Sequence, residues 1–314
     1  MKRRSFLKQS FAASGTTLAV SAISAPIIAK SIPGKKFKGL ESEKFNMNYA
    51  PHLGMFKNMA GEDLIDQIKF MADVGFTAME DNGMKSRTRD VQEKIAAEMT
   101  RLDMKMGVFV AHSIFWTEPN LTNGNRELRV QFLKEIEESV EVAKRVNATW
   151  ITVVPGHVDL RLKLEYQASN VIESLKMAAE LLEPHNLVMV LEPLNFYNHP
   201  GLFLERIPQG FEICKAVGSP SCKILDDLYH QQVTEGNLIP NIDLAWEEIA
   251  YFQIGDNPGR NEPTTGEINF MNVFKHIDGK GYKGILGMEH GISKPGKEGE
   301  EALINAYRTV DDFK

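Results

Sequence analysis

The chain has 314 residues, 43% of them hydrophobic and 25% charged, with a formal net charge of −6. This composition fits a folded protein of one large domain or two small ones, with little disorder away from the ends. An acidic balance without a basic patch gives nucleic acid no electrostatic footing. Two cysteines, Cys214 and Cys222, are too few for a disulfide framework, and their spacing fits no zinc motif.

The N-terminus stands apart. Lys2, Arg3, Arg4 and Lys8 make a basic start, and residues 11–29 form a mildly apolar run broken by Ser, Thr and Gly. That order is the order of an export signal. Residues 3–8, RRSFLK, resemble the twin-arginine (Tat) motif, and the weak hydrophobicity of the run suits that route better than a membrane span. The reading is a signal peptide over 1–30, a polar linker over 31–44, a folded domain over 45–314 and a periplasmic location. Cleavage after Ala29 would remove four basic residues and no acidic one, and the rest of the chain holds no apolar run long enough to span a membrane.

From residue 45 onward strands and helices alternate. Residues 45–50 read as a strand. Residues 61–75 read as a helix with Leu64, Ile65, Ile68, Met71 and Ala72 on one face and Gly75 at its end. The pattern continues as strand 76–81, helix 89–103, strand 105–112, helix 125–147, strand 149–156 and helix 163–186. Strand 187–195, helix 205–218, strand 222–230 and a short helix at 241–248 follow. Strand 249–256, helix 267–281, strand 282–291 and helix 296–314 complete it. Eight strands alternating with eight helical segments predict an α/β fold with a parallel sheet, of the size of a (β/α)8 TIM barrel. A doubly wound open sheet is the alternative. It wants fewer strands and a glycine-rich first turn, and no G-x-G-x-x-G follows the first strand.

A barrel carries its chemistry at the C-terminal ends of its strands. Strand five ends in Glu192, strand six in Asp226 and Asp227 with His230 beyond, strand seven in Gln253 and Asp256, and strand eight in Glu289 and His290. One such acid alone reads as a helix N-cap or a loop ion pair. Four consecutive strand ends are a stronger pattern. Acids flanked by apolar runs are destabilising unless paired or bound to a cation, and oxygen donors suit a divalent ion of the Mg2+ or Mn2+ kind. Asp226 and Asp227 are neighbours and point to opposite faces, so only one of them can enter the barrel.

Four stretches, LEPLN (191–195), DLYHQQ (227–232), FQIGDNPGRNEPTTGEINF (252–270) and GMEHG (287–291), resemble the hydroxypyruvate isomerase group of the xylose isomerase-like TIM barrels. The resemblance is sharp from about 190 to 291, and the long block around Arg260 is its specific part. It implies Glu192, Asp227, Gln253 and Glu289 as ligands of one divalent metal ion (Mn2+, Mg2+ or similar), and so selects Asp227 over Asp226. It implies Glu192 and Glu289 as the pair that removes and returns a proton beside a carbonyl, through an enediolate. His230 and Arg260 fall at substrate-side positions. The implied activity is an isomerase or epimerase of a small sugar, keto-sugar or hydroxypyruvate-like keto acid, and a homo-oligomer is compatible with it.

Two features depart from that group. Thr264 stands where glycine is frequent. His112 and Trp116, with His52 and His157, lie near the ends of strands one, three and four and match nothing in the small-substrate enzymes. His112 and Trp116 are read as lining a roomier, sugar-sized pocket, against the competing reading of Trp116 as loop core. Export points the same way, toward external sugars or their oxidised derivatives. A lyase or dehydratase of keto-sugars or keto-inositols on the same metal site, or an inactive sugar-binding barrel, would use the same residues. An endonuclease IV type of barrel would need more histidines at its mouth and a different charge balance.

Overall fold

The computed structural model describes residues 43–313. The expected signal peptide, and all but the last two residues of the expected linker, lie outside the described residues. The strands are β1 (Asn48–Ala50), β2 (Ala78–Met79), β3 (Lys105–Met106), β4 (Trp150–Val153), β5 (Val188–Leu191), β6 (Cys222–Asp227), β7 (Ile249–Gln253) and β8 (Ile285–Gly287). The ladder runs β1-β8-β7-β6-β5-β4, with β2-β3 as a separate pair, and all these pairings are parallel. Isolated bridges close the circle. His52 with Glu80 joins β1 to β2, and Met106 with Ala148 and Val110 with Thr152 join β3 to β4. The strands therefore follow one another around a (β/α)8 barrel in sequence order.

Among the described residues the helices are α1 (Lys57–Ala60), α2 (Leu64–Asp73), α3 (Arg89–Arg101), α4 (Arg126–Val146), α5 (Leu164–Leu182), α6 (Ile207–Val217), α7 (Leu228–Thr234), α8 (Leu238–Ala245), α9 (Phe270–Gly279) and α10 (Gly296–Val310). No helix among the described residues is long and apolar enough to cross a membrane. The connections after β1 and β6 each hold two helices where the sequence pattern predicts one. In the second case Asp227 caps α7 directly, accepting from the backbone N–H groups of Tyr229 and His230, so a new helix starts at the strand's last residue.

The strands are shorter than their apolar runs predict, for local reasons. Ahead of β1, the Asn46 backbone N–H donates to Asp311 Oδ2 at 2.6 Å, which ties that segment to the residue following α10. Beyond β3, the Val108 N–H turns to the Tyr251 hydroxyl at 3.4 Å. Cys214 and Cys222 are buried and free.

Ala50, Ala78, Val108, Val190, Leu225, Tyr251 and Ile285 form a buried cluster distinct from the main core, with members from seven of the strand segments. These side chains fill the barrel. Because side chains alternate along a strand, the residue two positions further on faces inward as well. That next level consists of His52, Glu80, Val110, Glu192, Asp227, Gln253 and Gly287, with Glu289 one step higher.

Candidate active site

The alternation resolves the adjacent acids of β6. Leu225 faces inward, so Asp227 does too, and Asp226 points the other way. Burial first, and the charge of Asp227 second, push the Asp226 carboxyl up to about 8. Asp227 is fully buried and uses its two oxygens differently. Oδ1 caps α7, and Oδ2 accepts from Arg260 Nη2 at 2.9 Å. One oxygen thus serves as the helix N-cap, and the other faces the barrel mouth.

Arg260 Nη2 also donates to Glu289 Oε2 at 2.9 Å, so one nitrogen spans two carboxylates from β6 and the end of β8. Its guanidinium lies 5.0 Å from the Tyr229 ring centroid. The loop that delivers Arg260 is fastened at two buried acids. Asp256 accepts from the N–H groups of Gly266 and Ile268 at 2.7 and 3.1 Å. Glu262 accepts from the Ser293 N–H at 2.8 Å and from its hydroxyl. The polar stretch from 256 to 270 is thus a tied loop at the barrel mouth.

Glu192 is buried beside this pair, with Oε1 3.9 Å from His230 Nε2. Burial first, and then the charges of Glu289 and Asp227, hold its carboxyl well above the usual carboxylate range. Burial also raises Glu289, to about 7, although Arg260 pulls in the other direction. Glu289 Oε1 accepts from Asn82 Nδ2 at 2.6 Å. Two acids that ionise with difficulty therefore flank Asp227, a condition suited to exchanging a proton near neutral pH.

His230 has a defined tautomer. Asn195 Oδ1 accepts from the Asn198 N–H, which fixes the Asn195 amide and directs its Nδ2 to His230 Nδ1 at 2.6 Å. The Asn195 backbone N–H reaches the same nitrogen at 3.2 Å. Nδ1 is therefore the acceptor, and the proton sits on Nε2. Burial lowers the pKa of His230 to about 4, so the ring is neutral. Glu192, Asp227 and His230 bring potential ligand atoms within 4.8 Å of one another. With its proton on Nε2, 3.5 Å from Asp227 Oδ2, His230 is placed to donate to an oxygen and not to ligate an ion.

Gln253 Nε2 donates to Glu80 Oε1 at 2.9 Å, and its own Oε1 is buried without a partner. Glu80, at the end of β2, is not among the strand-end residues singled out from the sequence. The sequence held the same signal there: Glu80 and Asp81 are adjacent acids closing an apolar strand, as Asp226 and Asp227 are. Asp81 turns to Arg87, while Glu80 enters the barrel.

His112 does not line the pocket with a free polar atom. Its Nδ1 meets the Ser113 carbonyl at 3.0 Å, and its Nε2 accepts the Val154 N–H at 3.2 Å. The buried ring packs edge-on to Phe132 and serves the core. Trp116 is 47% exposed and stacks on His199, with ring centroids 5.2 Å apart, and His199 lies 5.4 Å from His230. Trp116 thus stands at the rim of the mouth, linked to the site through His199, a residue the sequence reading did not single out. On the other side a cavity of about 570 Å3 is lined by His52, Asn82, Arg260, Glu289 and His290 among others.

The donor set fits a divalent cation. Asp227 and Glu289 turn carboxylate oxygens to one cation already, the Arg260 guanidinium, and Glu192 is buried beside them. The Gln253 carbonyl, at the register level of Asp227, is a neutral oxygen with no partner.

A parallel eight-stranded barrel with oxygen donors and a buried histidine gathered at its C-terminal mouth is of the class that binds and transforms small molecules there. Residues 68–309 match the model of the xylose isomerase-like TIM barrel family, and the chain belongs to that family. It is 31% identical over 180 residues to hydroxypyruvate isomerase of Escherichia coli (strain K12), covering 57% of this chain and 69% of that one. It is 31% identical over 159 residues to 2-oxo-tetronate isomerase of Cupriavidus necator, covering 51% of this chain and 61% of the relative, so the chain spans under two thirds of that protein's length. The crystal structure of an AP endonuclease, family 2, from Brucella melitensis superposes with a TM-score of 0.71 at 23% identity, covering 81% of this chain and 96% of the other. At that identity the likeness concerns the fold alone.

Proposed function

We propose that the protein is an isomerase or epimerase that transfers a proton at the carbon beside a carbonyl of a small keto acid or keto-sugar, with one divalent ion. The observation that carries this reading is the position of Glu192, Asp227, Gln253 and Glu289 at the ends of four consecutive strands, with Asp227 and Glu289 sharing the Arg260 guanidinium. The relatives named as hydroxypyruvate isomerase and 2-oxo-tetronate isomerase act on small keto acids, which supports the substrate class. The exposed Trp116 beside His199 supports a ligand longer than three carbons, since an aromatic face can cover a sugar ring.

Glu192, Asp227 and Glu289, with the Gln253 carbonyl, would hold the ion, whose contribution is to polarise the substrate's oxygens. The chain's own residues do the rest. Glu192 and Glu289 take the proton and give it back. The Nε2–H of His230 donates to a substrate oxygen, and the ring stays neutral because burial opposes its charging. Arg260 orients the ligand from the tied loop, and Trp116 covers its distal end.

The test is incubation of metal-stripped protein with hydroxypyruvate, 2-oxo acids and ketoses in D2O, with and without Mn2+, followed by NMR. Deuterium should enter the carbon next to the carbonyl only when Mn2+ is present, and Glu192→Gln should lower the rate by at least about a hundredfold. No incorporation into any member of the panel would sink the reading. Export by the twin-arginine route belongs to the same proposal. Replacing Arg3 and Arg4 together by Lys is expected to retain the protein in the cytoplasm, as read by cell fractionation.

A further inference from the structure

Glu80 is a buried acid that the chemistry above leaves unused. It sits inside the barrel, fully enclosed, on the inward level shared by Asp227 and Gln253. Its Oε1 accepts from Gln253 Nε2 at 2.9 Å and from His52 Nε2 at 2.6 Å, and its Oε2 accepts from the Tyr251 hydroxyl at 2.6 Å. The fold makes room for it. A Cβ at Gly287 would lie 2.0 Å from Glu80 Oε2, and one at Gly107 would lie 2.4 Å from the Tyr251 hydroxyl and 3.0 Å from Glu80 Cβ. Two strand segments, those of β3 and β8, thus leave a side-chain position empty around one carboxylate. A buried carboxylate of this kind is weak evidence of a stabilising role, because an apolar residue of similar volume often does as well.

We propose that Glu80 is a positioning residue that fixes which end of the Gln253 amide meets the site. An amide is nearly symmetric in shape and can present either its oxygen or its NH2. A carboxylate only accepts hydrogen bonds. With Glu80 on one side, the Gln253 NH2 is held there and the carbonyl oxygen is the free arm. The orphaned Oε1 of Gln253 is the other half of the same arrangement. His52, hydrogen-bonded to the same carboxylate oxygen, carries the network to the wall of the cavity. This inference rests on the reading of the site as a divalent-ion centre.

Glu80→Gln breaks the arrangement in a foreseeable way. The Tyr251 hydroxyl already accepts from the Val108 N–H, and its proton needs an acceptor in a fully buried place. The oxygen of the new glutamine therefore turns to Tyr251, and its NH2 faces Gln253 and His52, whose partly exposed ring can switch tautomer and accept. Gln253 must then flip and present its own NH2 to the site. Exchanging the pair, as in Glu80→Gln with Gln253→Glu, restores an oxygen at position 253 and keeps one carboxylate and one amide in the same space.

The experiment is calorimetric titration of metal-stripped wild type, E80Q and the E80Q/Q253E exchange with Mn2+ alone, alongside the unfolding temperature of each ion-free protein. E80Q is expected to bind Mn2+ roughly 10- to 100-fold more weakly, the range typical for losing a group that orients a metal ligand. The exchange variant is expected to recover most of that loss. E80Q binding as tightly as wild type would overturn the inference, and so would an exchange variant that folds and still fails to bind. If E80Q does not fold, the exchange variant carries the test, and failure of both to fold would make Glu80 a folding residue and overturn the assignment. Wild type that binds no Mn2+ would overturn the reading of the site instead.

Discussion

A single nitrogen of Arg260 lies against Asp227 Oδ2 and Glu289 Oε2, two oxygens that a divalent ion would also seek. Without an ion, the guanidinium is what compensates a fully buried aspartate. Arg260→Gln is therefore expected to destabilise the ion-free protein by about 1–3 kcal/mol, the usual penalty for an unpaired buried group. Saturating Mn2+ should narrow the gap between the two proteins, and thermal unfolding with and without EDTA measures it. At this scale the sequence disclosed the residues that its four motif stretches carry: Arg260 in the long one, Asp227, Glu192 and Glu289 in the short ones. It could not disclose the duties of His112. Whether its ring is free depends on a backbone N–H from Val154 on the adjacent strand segment, and no local pattern records that. Glu80 was legible in principle by the alternation that places Ala78 inside, but that requires knowing which face of β2 is the interior.

The loop from 256 to 270 shows how an element can be polar and still fixed. Its anchors, Asp256 and Glu262, are buried acids, the first held by two backbone N–H groups and the second by the N–H and hydroxyl of Ser293, while Thr264 and Thr265 beyond them are exposed. Thr264 adopts φ +76°, the left-handed region that a β-branched residue enters only with strain. This gives a physical reason for the glycine that the related group often carries there. Thr264→Gly is expected to stabilise the protein by about 1 kcal/mol, the relieved strain less the added freedom of the unfolded chain. For a domain of this size that is a rise of about 2–4 °C in Tm, measurable by calorimetry. Helices such as α5 and α10 sit where their periodicity predicts, because an amphipathic face is a local property. Strand ends do not. Tyr282 was read into the last strand, yet its hydroxyl reaches the carbonyls of Ala250 and Ile285 while the ladder of β8 begins at Ile285.

The molecule as a whole holds several histidines neutral in its interior. Burial lowers His112 to about 4, against about 6.5 for an unfolded chain. Between those values the unfolded state binds a proton that the folded state refuses, so stability is complete above about pH 6.5 and declines as pH falls toward 4. The contribution of His112 is on the order of 3 kcal/mol across that window. Glu289, raised by burial to about 7, slopes the other way, so the comparison must be with a variant and not with pH alone. His112→Asn is expected to unfold at a urea midpoint that falls less between pH 7 and pH 4.5 than that of wild type. Equal falls in the two proteins would contradict the assignment. The barrel itself was legible from alternation of strand and helix over the chain. Its closure was not, because β1 to β2 and β3 to β4 meet only through isolated bridges that long-range geometry determines.

The empty positions around Glu80 also constrain how this sequence can change. A side chain at 287 would occupy the place of the Glu80 carboxylate, so neither position can be substituted freely while the other keeps its residue. In a library randomised at 80 and 287 and selected for folded protein, residues larger than glycine at 287 should survive only with a short residue at 80. The two positions would then vary as one unit despite their distance along the chain, and glycine at 287 would mark an acid inside the barrel.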